Sequence, residues 1–332
     1  MRNDTICRTP TVRFVESIHY NETDEAAERT SPMKQQDVMK HPVNVLSNAQ
    51  RESFFRNGFL VLPDYVPQAW LARLREATQD LLEHSRSVAQ SDGIYVLEEG
   101  HSAADPRLHR VSSPQDQHPG FWEFMTDPVM TDLAADVVGP DVKFHHAKLN
   151  VKSGKGTQGF GWHQDIPAWP HTDFSPVTIG VYIEGCTPDQ GPLTVAQGSH
   201  EGPLFTMYDK NGDFVVKLRD EDLAWLKDDM VKSPTGGPGT ALLLNCRTVH
   251  GSAPNKASAP RPLLLPVYSS ADSFPYTPSP IPTPHQGDIV RGKAARFASF
   301  DTRPVEMPPD WRGGYKPVWM HKKSDQQTKT VA

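Results

Sequence analysis

Three side chains that can bind a metal ion stand in two short segments of the chain. The first segment, 160–165, is FGWHQD, and the second, 245–252, is NCRTVHGS. In a strand, residues two apart point to the same side, so His163 and Asp165 would direct an imidazole and a carboxylate to one point. His250 follows His163 by 87 residues, a separation at which strands of a β-barrel can be neighbours. Two histidines and one carboxylate leave three positions of a metal open, an arrangement associated with non-haem Fe(II) oxygenases.

A basic residue follows the second segment at the start of an apolar run. Arg261 lies 11 residues after His250 and directly precedes 262–268, PLLLPVY. A chelating keto acid would take two of the open metal positions, and dioxygen the third. A keto acid such as 2-oxoglutarate has a second carboxylate, which the planar fork of arginine binds better than lysine does. We therefore predict that Arg261 binds this carboxylate; for Arg261 taken alone, a surface arginine at a strand end is the alternative.

Seven segments in chain order resemble the phytanoyl-CoA dioxygenase family of Fe(II)- and 2-oxoglutarate-dependent oxygenases. They are NGFLVL at 57–62, GPDV at 139–142, KLNVK at 148–152, WHQD at 162–165, GPLTV at 191–195, GSH at 198–200 and HGSAPN at 250–255, which Arg261 follows. The resemblance covers residues 45 to 275.

This resemblance implies a fold, two cosubstrates and a set of site residues. The fold is a double-stranded β-helix, that is, a cupin-like jelly roll, and the cosubstrates are 2-oxoglutarate and dioxygen. The residues implied are the Fe(II) ligands His163, Asp165 and His250, and the 2-oxoglutarate contacts Arg261, Ser252, Asn150 and Phe160.

Segment 160–169 is most similar to the ectoine hydroxylase branch, which also has an aromatic residue four positions after the aspartate, here Trp169. Pro167 stands where that branch has a glutamate, which argues against ectoine itself as the substrate. Halogenase relatives replace the carboxylate ligand by a small residue, so Asp165 favours oxygen chemistry. We expect hydroxylation of an unactivated C–H bond in a small molecule, with release of succinate and CO2. Desaturation, oxidative ring closure, a non-catalytic jelly-roll binding module and a cupin-like metal isomerase or hydrolase are the alternatives.

Polar and apolar residues alternate in segment 148–152, so that Lys148, Asn150 and Lys152 would share one face of a strand. If Asn150 points toward the cosubstrate, Lys148 points inward as well, and a lysine in a dry pocket is costly unless an anion meets it. We therefore predict that Lys148 binds an acidic group of the substrate and that Trp169 covers its apolar part. A solvated Lys148 on an outward face is the alternative.

Helices are predicted before strands along the chain. A helix beginning near residue 49 leads into a strand at 59–62, and helical spacing of apolar residues predicts helices at 67–88 and 119–138. Short β-prone runs follow at 142–152, 177–186, 192–197, 239–250 and 262–270. This order favours an α+β, mainly β protein with a sandwich or jelly-roll core flanked by N-terminal helices.

Composition narrows the class of protein further. The chain has 332 residues, 37% of them hydrophobic and 22% charged, and a net charge of −6, which disfavours a general attraction to nucleic acid or anionic lipid. Its apolar runs are far shorter than the ~18 residues of a membrane helix. Three cysteines form no disulfide framework, which favours the cytoplasm. We expect a flexible extension at 1–45, one domain at 46–320 and a polar tail at 321–332.

Most remaining histidines and cysteines are expected to have structural roles, since three ligands already complete the metal site. Polar contacts rather than metal ligation are expected for His145, His146, His171 and His200. Cys186 and Cys246 are expected to be small core residues.

Overall fold

The computed structural model describes residues 35–154 and 159–313, in which seven α-helices and twelve β-strands lie. The helices are α1 (Gln35–Lys40), α2 (Asn48–Asn57), α3 (Gln68–Ser85), α4 (Pro114–Gln117), α5 (Pro119–Thr126), α6 (Pro128–Val138) and α7 (Asp220–Leu223). The strands are β1 (Phe59–Leu62), β2 (Tyr95–Leu97), β3 (Leu108–Ser112), β4 (Val142–Asn150), β5 (Phe160–His163), β6 (Val177–Tyr182), β7 (Leu193–Ala196), β8 (Val231–Lys232), β9 (Thr240–Asn245), β10 (His250–Ser252), β11 (Leu263–Ser270) and β12 (Ile289–Arg291).

Two antiparallel sheets form the core of the fold. The larger sheet has the order β1-β9-β6-β11-β4-β3-β2, with β12 also paired to β4, and the smaller has the order β5-β10-β7-β8. Apart from β2, β3 and β4 and the pair β7 and β8, neighbouring strands are not consecutive in the chain, as in a jelly roll, and one cavity is lined by residues of both sheets. The predicted α+β jelly-roll fold is confirmed.

Helices α3, α5 and α6 cover the outer face of the larger sheet. Leu71, Leu74 and Ala77 of α3 are fully buried and belong to the same apolar cluster as Ala147 and Leu149 of β4. Because side chains alternate along a strand, the residues between them on β4 face the cavity instead. Helix packing on one face of β4 therefore determines that Lys148 and Asn150 lie on the cavity side.

The predicted helix at 119–138 is two helices, because a proline interrupts it. Helix α5 ends at Thr126, and α6 begins at Pro128. Proline lacks an N–H, but at the first position of a helix this group has no intrahelical acceptor, so no hydrogen bond is lost. The Asp127 side chain accepts a hydrogen bond from the Val129 N–H at 2.8 Å and so caps the new helix. The residue before a proline is also disfavoured in helical conformation.

The folded part of the chain begins by Gln35, earlier than the predicted boundary at residue 46. Buried Asp136 of α6 accepts hydrogen bonds from the backbone N–H groups of Asn44, Val45 and Leu46 at 2.7 to 2.9 Å. This tertiary acceptor and the burial of Leu46 in the core fix the segment that precedes α2. The rest of the predicted extension, 1–34, and the predicted tail, 321–332, lie outside the described residues. In the part that is described, no helix has the length and apolar character needed to cross a membrane.

Candidate metal centre and its cavity

Strand pairing brings the three predicted metal ligands together. In the antiparallel pair β5 and β10, His163 lies directly opposite His250, and their ring centroids are 4.2 Å apart. Nε2 of His250 is 3.8 Å from Oδ1 of Asp165. One donor atom from each of the three residues lies within 4.8 Å of the others, and no other such group of three occurs at 35–154 or 159–313.

The turn after β5, rather than strand alternation, positions the carboxylate. Strand β5 ends at His163, and Asp165 has helical backbone angles (φ −76°, ψ −43°) at the start of the 3-10 turn Ile166–Ala168. The expectation that His163 and Asp165 share one face of a strand is therefore wrong. Gln164 fixes the turn: it is fully buried, and its side-chain amide donates to the carbonyls of Arg247 and Pro203 at 2.7 and 3.1 Å.

Each candidate ligand is oriented by a hydrogen bond to the atom that faces away from the metal position. His163 Nδ1 lies 2.7 Å from the Gly161 carbonyl and His250 Nδ1 lies 2.9 Å from the Thr248 carbonyl. A carbonyl can only accept, so each Nδ1 carries the proton and each Nε2 lone pair is left for a metal. The Thr178 hydroxyl donates to Oδ2 of Asp165 at 3.0 Å, while Oδ1 faces His250.

The protonation states also suit a metal. Burial, and then the neighbouring His250, lower the pKa of His163 to about 3, so this imidazole is neutral. Burial alone would raise the pKa of Asp165, but His250, Lys148 and His163 together bring it down to about 2, so the carboxylate is charged. Neutral imidazoles and an ionised carboxylate are the forms that bind metal ions.

The metal-ligand group opens into a cavity of about 260 Å³. All nine site residues named from the sequence line it: His163, Asp165, His250, Arg261, Ser252, Asn150, Phe160, Lys148 and Trp169. Six of them lie in the three strands β4, β5 and β10, Arg261 lies two residues before β11, and Asp165 and Trp169 flank the 3-10 turn after β5.

The end of the cavity at Arg261 contains polar atoms that the protein leaves unsatisfied. Arg261 is 1% exposed, and among the described residues the only hydrogen bond of its guanidinium runs from Nη2 to the Gly191 carbonyl at 3.3 Å, while Nε and Nη1 are buried without a partner. Oδ1 of Asn150 is also buried without a partner. Buried polar atoms are rarely left in this state. A carboxylate beside Arg261 would accept from the two open guanidinium nitrogens, so Arg261 fits 2-oxoglutarate.

The two lysines of segment 148–152 have different surroundings. Lys148 lines the cavity and makes no hydrogen bond or ion pair with any residue that the structure describes. Strand β4 ends at Asn150, and Lys152 has a left-handed backbone (φ 46°) that turns its side chain out of the alternation. Its ammonium donates to the carbonyls of Gly191 and Ala253 and, at 2.8 Å, to the Ser252 hydroxyl. The prediction that Lys152 shares a face with Lys148 is therefore wrong.

Sequence reasoning missed three polar residues of this centre. Thr178 was hidden in an apolar strand, and Arg110 lies in β3, whose alternating sequence LHRVS could have revealed it. His146 reaches the cavity because the pairing of β4 with β11 contains an irregularity, at which His145 is the extra residue. His171 and His200 make the polar contacts predicted for them: His171 Nδ1 lies 2.7 Å from the Trp169 carbonyl, and His200 Nε2 lies 2.7 Å from the Phe55 carbonyl.

The cysteine predictions are confirmed where the structure describes them. Cys186 and Cys246 are free thiols, 4% and 0% exposed. Burial raises the pKa of both thiols.

Comparison with known proteins agrees with the family that the sequence motifs indicate. The family model for phytanoyl-CoA dioxygenase (PhyH) matches residues 54–263. A protein of Stutzerimonas stutzeri named "Probable alpha-ketoglutarate-dependent hypophosphite dioxygenase" is 24% identical over 78% of this chain and 91% of its own length. The ectoine dioxygenase of Sphingopyxis alaskensis is 27% identical over 74% of this chain and 83% of its own length.

Solved structures agree with the fold. The crystal structure of EctD from S. alaskensis with 2-oxoglutarate and 5-hydroxyectoine has a TM-score of 0.60 at 25% identity, over 85% of this chain and 97% of that one. The iron-bound form of the same protein has a TM-score of 0.58 at 26% identity, over 70% of this chain and 80% of that one. The chain therefore belongs to the phytanoyl-CoA dioxygenase family, and it is an Fe(II)- and 2-oxoglutarate-dependent dioxygenase.

Proposed function

We propose that this dioxygenase hydroxylates an unactivated C–H bond of a small substrate that carries an acidic group. His163, Asp165 and His250 would hold the iron, and Arg261, Asn150, Ser252 and Phe160 the cosubstrate. The observation that carries the proposal is the cavity-lining ammonium of Lys148, which has no hydrogen-bond or ion-pair partner within 35–154 and 159–313.

Iron(II) bound by the three ligands would supply the activation of dioxygen, which couples conversion of 2-oxoglutarate to succinate and CO2 with oxidation of the substrate. One oxygen atom enters succinate and the other enters the product, so no further reductant is needed. The protein's own tasks are to hold both organic molecules in place and to limit water in the cavity.

Cosubstrate binding rests on the donors at the Arg261 end of the cavity. The unpartnered Nε and Nη1 of Arg261 would donate to the distal carboxylate. The Ser252 hydroxyl accepts from Lys152 and keeps its own proton to donate. The Phe160 ring lines the same cavity and packs against His109, with ring centroids 5.0 Å apart.

Substrate binding rests on Lys148 and on the apolar wall beside the metal ligands. An ammonium removed from bulk water is costly unless an anion accepts its hydrogen bonds, so an acid of the substrate would supply what the protein does not. Trp169 is 2% exposed and would cover the apolar part. The names of the relatives specify hypophosphite and ectoine, two small molecules. Pro167 is buried in the 3-10 turn and offers no carboxylate in place of the glutamate of the ectoine branch.

The experiment that tests the proposal has two steps. Under anaerobic conditions, Fe(II) with 2-oxoglutarate should give a weak visible charge-transfer absorption. A panel of amino acids, other small acids and uncharged analogues is then screened in air for substrate-dependent succinate release. A product heavier by one oxygen atom supports hydroxylation, and one lighter by two hydrogen atoms shows desaturation or ring closure instead. A substrate without any acidic group would contradict the proposed role of Lys148.

A further inference from the structure

Lys152 lies behind the cosubstrate end of the cavity and is held by three hydrogen bonds. It is fully buried and is not part of the cavity lining. Its ammonium donates to the carbonyls of Gly191 and Ala253 and, at 2.8 Å, to the Ser252 hydroxyl. An ammonium has three hydrogens, so each of them has one acceptor here. The charged form of Lys152 is therefore the form that satisfies all three groups.

Two of these three groups connect Lys152 to the cosubstrate site. Ser252 lines the cavity, and because its oxygen accepts from Lys152, its own proton is free to be donated to a ligand. The Gly191 carbonyl accepts from Lys152 and also from Nη2 of Arg261, each at 3.3 Å. Lys152 therefore holds both a hydroxyl of the cavity wall and the carbonyl that fixes Arg261.

A neutral Lys152 could not maintain this arrangement. A neutral amine has two hydrogens and one lone pair, and a carbonyl has no hydrogen to donate to that lone pair. Of the three partners, only the Ser252 hydroxyl has one. Loss of the Lys152 proton would therefore turn the Ser252 proton away from the cavity. An oxygen lone pair would then face the cosubstrate, and it would repel a carboxylate.

The charges around Lys152 favour the neutral form until an anion binds nearby. The ionisable groups that act on it are Arg261, Cys186 and Glu98. Glu98 is the one carboxylate among them, and Lys152 forms no ion pair with any residue in 35–154 or 159–313. Burial, and then the charge of Arg261, lower the pKa of Lys152 to about 7. A dianion bound at Arg261 would raise this pKa again.

We propose that Lys152 is a positioning residue for 2-oxoglutarate, and that the cosubstrate binds to the charged form of Lys152 with uptake of a proton by this side chain. The inference rests on the proposed function, in which Ser252 and Arg261 bind 2-oxoglutarate. Because Lys152 does not line the cavity, it acts through the Ser252 hydroxyl rather than by touching the cosubstrate. Since binding and protonation are then coupled, 2-oxoglutarate binds more weakly as the pH rises above neutrality.

The test uses the full chain loaded with Fe(II) without oxygen. Titration of the charge-transfer absorption gives the Kd of 2-oxoglutarate at pH values of about 6.5, 7.5 and 8.5, at which both of its carboxylates stay ionised. We expect the Kd to be about tenfold or more higher at the highest pH than at the lowest, because one pKa unit is a factor of ten. Calorimetry at a pH of about 8, in two buffers with different ionisation enthalpies, should show uptake of about half a proton to one proton per 2-oxoglutarate bound.

Two variants assign the effect to Lys152 and to its contact with Ser252. Lys152→Met should bind 2-oxoglutarate more weakly than the wild type at the lowest pH, with a Kd nearly independent of pH and no proton uptake. Ser252→Ala, which leaves Lys152 in place, should also bind more weakly at the lowest pH and lose most of the pH dependence.

Lys143→Met is the matched control. Lys143 lies in β4 and is also buried, and burial also lowers its pKa, but it donates to the Ser273 carbonyl and does not line the cavity. This variant should keep the wild-type dependence of the Kd on pH.

Three results would overturn the inference and leave the proposed function standing. They are a wild-type Kd that does not rise with pH, proton uptake that persists in Lys152→Met, and full pH dependence in Ser252→Ala. The last would show that Lys152 does not act through the Ser252 hydroxyl. A Ser252→Ala variant that binds 2-oxoglutarate as tightly as the wild type, or a wild-type protein without the charge-transfer absorption, would contradict the cosubstrate site of the proposed function as well.

Discussion

Lys148 and Lys152 lie four residues apart at the same end of β4, but their surroundings are opposite. Lys152 is fully buried and donates to two backbone carbonyls and a hydroxyl. Lys148 lines the cavity and has no hydrogen-bond acceptor among the residues that the structure describes. The protein itself satisfies Lys152, which therefore serves the fold, whereas Lys148 is the lysine that we propose binds a ligand.

The same distinction holds within single side chains of the site. Nδ1 of His163 and Nδ1 of His250 are bonded to carbonyls, while each Nε2 is turned toward the metal position. Arg261 has one bonded nitrogen and two buried nitrogens without a partner. In each case the satisfied atom fixes the side chain, and the open atom is available to iron or cosubstrate.

The largest expected effect comes from removing any one of the three metal ligands. His163→Ala, Asp165→Ala and His250→Ala should each abolish turnover, because two ligands cannot hold iron in the required geometry. Zinc should bind to the wild-type ligands and support no reaction, since it has no redox chemistry. Succinate formation and iron content, measured on each purified variant, check this. Full activity in any one of the three would remove that residue from the ligand set.

A smaller effect is expected at Arg261, where a charged partner would be lost. Arg261→Ala should weaken 2-oxoglutarate binding by ~2 kcal/mol or more, which is about 30-fold, and Arg261→Lys should fall between it and the wild type because it keeps the charge but not the fork. Iron binding should persist in both. Anaerobic titration of the charge-transfer absorption measures the affinity. An unchanged affinity in Arg261→Ala would mean that another cation, such as Lys152, binds the distal carboxylate.

The two lysines provide a matched pair of variants. Lys148→Met should raise the KM for the substrate about tenfold or more and leave the KM for 2-oxoglutarate unchanged. The free energy of unfolding should stay the same or rise. Lys152→Met should lower the free energy of unfolding by ~1–3 kcal/mol, because it leaves buried acceptors unsatisfied. Steady-state kinetics and chemical denaturation of both variants check this. Equal loss of stability in the two would contradict the distinction between them.

The smallest effect concerns the pH dependence of stability. Burial, and then the charge of Arg261, lower the pKa of Lys152 to about 7, whereas a lysine in the unfolded chain titrates near ~10.4. Between these two pKa values the unfolded chain binds a proton that the folded chain does not, so this group makes the free energy of unfolding rise with pH. Denaturation at several pH values from neutral to alkaline should show a smaller rise in Lys152→Met than in the wild type. If the free energy of unfolding rose equally with pH in the variant and the wild type, the pKa of Lys152 would be the same in the folded and unfolded states.

Local sequence determined the residue types and much of the secondary structure. Apolar spacing located α3, which spans Gln68–Ser85 within the predicted 67–88, and the β-prone run at 262–270 located β11, which spans Leu263–Ser270. The ordered motifs with His163, Asp165, His250 and Arg261 identified the family and its two cosubstrates. These features depend on periodicity and on the chemistry that each side chain has by itself, so they can be recognised without a structure.

Tertiary structure decided where the side chains point and which polar groups are left without a hydrogen-bond partner in the described structure. The pairing of β5 with β10 sets His163 opposite His250, and a buried glutamine holds the turn that brings in Asp165. Helices on the outer face of β4 leave Lys148 on the cavity face, and the register of β3 against β4 places Arg110 diagonally next to it. A left-handed backbone at Lys152 separates it from Lys148, although the sequence alternates through both. Direction and hydrogen-bond satisfaction depend on neighbours that are distant along the chain, and no local pattern records them.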